Sequence, residues 1–135
     1  MYLRDLNDAQ KALTLDLLIH ASDANRHGEG ARREQIEIYC AVMGIPARLH
    51  ANLDKDTALR QLTEISNTVT LRKVLVELMM LAVSDAEFDG LERAFGEKFA
   101  VLTEMKQSEY EEILRLLEEI TRALQRLDEL VNEPG

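Results

Sequence analysis

Toward the end of this 135-residue chain, apolar residues recur at alternating spacings of three and four: Tyr110, Ile113, Leu117, Ile120, Leu124, Leu127 and Val131. An α-helix, repeating every 3.6 residues, puts such positions on one face; a strand would scatter them. Ser108, with Glu111 three residues on, has capping-box spacing, so one long helix is predicted from Ser108 to about Val131. The spacing also fits a coiled-coil seam. Leu114, Leu116, Ala123 and Leu130, however, put apolar residues where a dimeric coiled coil carries charges. A stripe that wide is expected to pack across the domain's own core, with self-association through this helix as the alternative.

The remainder reads the same way. Good helix formers dominate, and no stretch alternates apolar and polar residues long enough to make a strand. A first helix is expected after Asn7, with Gln10 in capping-box spacing, and a second over about 31–43, stopped by Gly44 and Pro46. Asp54 should cap a middle helix over 57–65. The next helix should start near Asn67 or Thr68 and run through Val83; it is apolar nearly all round and is expected at the centre. Another should cover 91–102. These elements predict an all-α fold, a compact bundle of six or seven helices in one domain over residues 1–131, with a flexible tail at 132–135.

A formal net charge of −9 argues against a nucleic acid held through its phosphates and against an anionic membrane surface. The electrostatic partners it favours are cations or a protein with a basic surface, and the same acidity also serves solubility. The single cysteine, Cys40, excludes an internal disulfide and a cysteine zinc cage, and its apolar setting predicts a buried structural thiol. The first residues lack a signal-peptide pattern. The most apolar run, 74–83, is about half of what a membrane span needs and contains Glu77. A cytoplasmic location is expected.

Two segments resemble each other. Leu17-Leu18-Ile19-His20-Ala21-Ser22-Asp23-Ala24 aligns with Met79-Met80-Leu81-Ala82-Val83-Ser84-Asp85-Ala86, and each leads through an acidic, Gly-containing loop into an amphipathic helix carrying Glu34 or Glu92 near its start. Two pseudo-repeated helix–loop–helix units are the simplest reading. The second unit, Asp85-Ala86-Glu87-Phe88-Asp89-Gly90-Leu91-Glu92-Arg93, followed by Lys106 to Ile113, resembles the TerB-like family linked to tellurite resistance. The likeness spans roughly residues 8–125 and is looser in the first unit. Where the family loop usually reads Asp-Gly, this chain has Ala24 and Ala86. The resemblance implies an all-α domain with acidic, metal-associating loops, a role in stress or resistance pathways, and no catalytic activity.

The acids of both units are candidate ligands for a divalent cation (calcium, magnesium or zinc). Asp16, His20 and Asp23 stand at i, i+4 and i+7 on one helix face and, with Glu34, could form a mixed carboxylate–imidazole site. Glu77, Asp85, Glu87, Asp89 and Glu92 could gather oxygen ligands. The competing reading is structural: Asp23 and Asp85 cap loops, Glu34 and Glu92 complement helix dipoles, and Arg32, Arg33 and Arg93 pair with them. EF-hand spacing is incomplete in both loops, since His27 replaces an oxygen ligand in one and Gly96 takes the closing glutamate's place in the other. Glu77, a carboxylate within the most apolar helix, would need a raised pKa or a cation such as His20, Arg72 or a metal if buried. No nucleophile elbow, phosphate loop or zinc-protease motif is present, so the chain reads as non-catalytic. The function expected is a binding or adaptor module whose acidic loops engage a cation or a basic partner. The alternative is a structural, oligomerising protein whose acids cap helices and aid solubility.

Overall fold

A computed structural model describes residues 2–24, 29–82 and 90–135. They form six helices: α1 (Asp8–Ala24), α2 (Glu29–Met43), α3 (Lys55–Glu64), α4 (Thr68–Ala82), α5 (Gly90–Leu102) and α6 (Gln107–Val131). No strand occurs among the described residues, and no helix there is long and apolar enough to cross a membrane.

Local chemistry sets most of the boundaries. The Asn7 side chain accepts from the Gln10 N–H at 2.8 Å, and the Gln10 side chain accepts from the Asn7 N–H at 3.0 Å, a reciprocal capping box at the start of α1. Asp54 accepts from the Thr57 N–H at 3.3 Å and Asn67 from the Thr70 N–H at 2.8 Å, fixing the starts of α3 and α4. Gly44, at φ 69°, ends α2 in a left-handed turn, with the Ile45 N–H on the Cys40 carbonyl at 3.0 Å. The same turn ends α5 at Glu104, at φ 57°, with the Met105 N–H on the Ala100 carbonyl at 2.9 Å.

That turn corrects the predicted start of α6. The helix opens at Gln107, with Lys106 as an N-cap that makes no side-chain bond, and its carbonyl accepts from Glu109 and Tyr110. Ser108 is already inside the helix, and Glu111 bonds the Gln107 side chain at 3.1 Å instead of closing a box.

α1 shares the centre with α4. It packs on α2, α3, α4 and α5, and buries Leu15, Leu17, Leu18 and Ile19. α4 buries Val74, Leu75, Leu78 and Met79, and packs on α1, α5 and α6. Cys40 is buried, as its apolar setting predicts. Gly96 lets α5 approach closely: a Cβ there would stand 2.7 Å from the Tyr110 hydroxyl and 2.9 Å from the Met79 sulfur. The residue that breaks the calcium-loop pattern therefore has a packing reason.

The wide apolar stripe of α6 packs on the domain only in its first turns. Tyr110, Leu114 and Leu117 are buried and Ile113 partly so, whereas Ile120, Leu124, Leu127, Leu130 and Val131 are exposed. Helix length explains this correction. At about 1.5 Å per residue, the 25 residues of α6 run roughly 37 Å, against roughly 22 Å for the 15 residues of α4 beneath it.

Candidate functional site

Two places concentrate chemistry: the acidic face of α1, and a groove where α2, α4 and α6 meet. On α1, Asp16 is only 2% exposed. One carboxylate oxygen accepts from the Asn52 N–H at 2.9 Å and lies 2.6 Å from the Arg48 guanidinium; the other accepts from the Leu53 N–H at 3.2 Å. One turn on, His20 Nε2 donates to the Leu53 carbonyl at 2.9 Å, which assigns the proton to Nε2, since a carbonyl can only accept. Asp23 pairs with Arg32 at 2.9 Å, and Arg32 in turn donates to the Leu49 carbonyl at 3.3 Å. The i, i+4, i+7 face is thus a clasp for the irregular segment between α2 and α3, whose backbone N–H groups find no ladder partners of their own.

Glu34 is exposed on α2. Among the described residues no three His, Cys, Asp or Glu side chains stand close enough to hold a metal ion, so the geometry does not gather Asp16, His20, Asp23 and Glu34 into one coordination shell. Asp85, Glu87 and Asp89, and the side chain of Glu92, lie outside the described residues.

Glu77 is buried, at 6% exposure. The two side-chain cations suggested for it are engaged elsewhere: His20 holds Leu53, and Arg72 pairs with Glu109 at 2.7 Å. The Tyr2 N–H donates to Glu77 at 3.2 Å, and Tyr39 lines the same groove beside that carboxylate. Burial, with the Glu77 charge behind it, pushes the Tyr39 phenol well above its ordinary range. Nothing in the sequence pairs these residues; Tyr39 reads there only as part of the apolar face of α2.

Glu77 and Tyr39 belong to a groove of about 400 Å³ with mainly apolar walls. α2 supplies Ile38 and Val42, α4 supplies Val76 and Met80, α6 supplies Leu117 and Ile120, and Tyr2 lies at one side. Ile38, Ile120 and Tyr2 are each about half exposed, so the groove is open to solvent. It leads directly onto the exposed stripe of α6. Salt bridges from Arg72 to Glu109 and from Arg93 to Glu118 tie the inner half of α6 to the bundle. Comparison with known proteins finds no match, whether to a protein family, a curated protein or a solved structure.

Proposed function

We propose that this chain is a non-catalytic interaction module, a helical domain of TerB-like type, that docks a protein helix along the groove and the outer half of α6. The observation behind this reading is the continuity of one apolar surface from Val42, Met80 and Leu117 out to Val131. A patch of this kind on a folded domain marks an interaction site, because exposing it otherwise only costs solubility. The long apolar stripe suits the helix-in-groove mode of recognition, read through anchors at i, i+3, i+4 and i+7. A divalent-cation role for the acidic loops is a separate proposal. It is confined to Glu77, Asp85, Glu87, Asp89 and Glu92, since Arg48 and Arg32 engage Asp16 and Asp23.

The test is titration of the dilute protein with a synthetic Leu/Lys amphipathic helix, followed by fluorescence anisotropy. Replacing Leu124 and Leu127 together by Ser should weaken binding at least roughly tenfold, given the area two leucines bury. The urea midpoint of the dilute protein should not move. Equal affinity in the two proteins would mean that charge alone attracts the peptide, and would overturn the reading.

A further inference from the structure

Within the reading just given, we infer that the helix docked on this surface is α6 of a second copy, laid antiparallel. The face of α6 that packs on the bundle at Tyr110, Leu114 and Leu117 continues, at spacings of three and four, as the exposed face at Ile120, Leu124, Leu127 and Val131. Each domain therefore sits on the stripe side of its own α6. Parallel pairing would bring both domains to the same level on the side that the partner's helix must occupy. Antiparallel pairing puts them at opposite ends and removes the clash.

One register satisfies the side chains. Opposing Ile120 with the partner copy's Val131, and Leu124 with its Leu127, makes four apolar layers related by a two-fold axis, the isologous arrangement of most dimers. Ala123 then faces the second copy's Leu130, which accounts for the flanking apolar residues that widen the stripe. The same register leads the second copy's C-terminal end to the mouth of the groove at Ile38 and Tyr2.

Charge and area agree with this occupant. Between Ile120 and Val131 the charges are Arg122, Arg126, Asp128 and Glu129, which sum to zero, so the paired stretch carries none of the net −9 of the whole chain. At about 100 Å² per fully exposed aliphatic side chain, the exposed apolar residues of α6 with Tyr2 and Ile38 present on the order of 400–500 Å². A standard interface of about 800 Å² per partner, at roughly 65% apolar, calls for about 520 Å² of apolar surface, slightly more than these residues present.

Sedimentation over a dilution series is the first test. The expected mass is twice 15.4 kDa, with pairing tightened by added salt, which screens repulsion between two acidic domains. Leu124→Glu removes a layer residue from both copies at once and should loosen the dimer by roughly a hundredfold or more, with the helical circular dichroism kept. Orientation is read by mixing Ile120→Cys with Val131→Cys: oxidation should link unlike chains, and links between two Ile120→Cys chains would overturn the antiparallel arrangement. A wild-type monomer at every concentration and salt, still binding the Leu/Lys helix, would overturn self-pairing and leave the interaction module standing. A monomer that also fails to bind that helix through Leu124 and Leu127 would overturn both.

Discussion

Removing the Asp16 carboxylate, as in Asp16→Ala, tests the assignment of the α1 face as a clasp. Its side chain is almost wholly enclosed, and it holds two backbone N–H groups of the segment leading into α3 as well as Arg48. Breaking a buried ion pair costs about 3–5 kcal/mol because the remaining charge is stranded. Here the Arg48 side chain is 27% exposed and can partly rehydrate, which lowers that figure. The two orphaned N–H groups raise it again, at about 1–3 kcal/mol for each one left buried. A net loss of about 3–4 kcal/mol is expected, a large part of the 5–15 kcal/mol typical of a domain. At a few degrees per kcal/mol, Tm should fall by roughly 10–15 °C. Urea unfolding followed by circular dichroism gives the difference, and a cycle with Arg48→Met should show a coupling above about 0.5 kcal/mol. The loss should be the same in metal-stripped protein and in excess calcium, magnesium or zinc. A loss below about 1 kcal/mol would refute the clasp, being no more than an ordinary surface change. An ion that stabilises wild type but not Asp16→Ala would refute it in favour of a metal site.

Three further outcomes follow from particular contacts. Gly96→Ala should destabilise by about 1 kcal/mol net, overpacking at Tyr110 and Met79 outweighing the better helix propensity of alanine; adding Tyr110→Phe, which removes the obstructing hydroxyl, should recover most of the loss in the same unfolding assay. Glu104→Gly should raise stability by up to about 1 kcal/mol, because Glu104 holds a left-handed turn that glycine adopts without strain. The phenols of Tyr39 and Tyr110 are raised by burial, so the folded state keeps protons that the unfolded state releases above about pH 10. Their contribution is therefore complete below pH 10 and lost as pH rises further. Alkaline unfolding should show this slope, and Tyr39→Phe should flatten it.

The helices were legible because their signals are local. Asn7 with Gln10, Asp54 and Gly44 each act within a turn of their own backbone, so spacing alone places them. Ser108 with Glu111 misled because the start of α6 is set from outside it, by the left-handed Glu104 that turns the chain into Lys106. The candidate site was legible only as residue types. Asp16, His20 and Asp23 do share a face, but that face meets a segment some thirty residues away, and Arg48 and Leu53 carry no mark of it. Two neighbours of Glu77, the Tyr2 backbone N–H and Tyr39, come from two distant parts of the chain. The extent of the α6 stripe that stays exposed depends on the length of α4 beneath it, a quantity the heptad pattern does not contain.

Amide hydrogen exchange along α6 bears most directly on the central claim, that its outer half is an interaction surface and not part of the domain's own core. In dilute protein, amides of residues 107–117 should be protected by packing, while those of 120–131 should exchange fast, since a short helical extension without a partner is marginal in water. Raising the protein concentration should slow exchange in the outer half alone. Equal protection of both halves at every dilution, unchanged by Leu124→Glu, would show the outer half packed on its own domain and contradict the account.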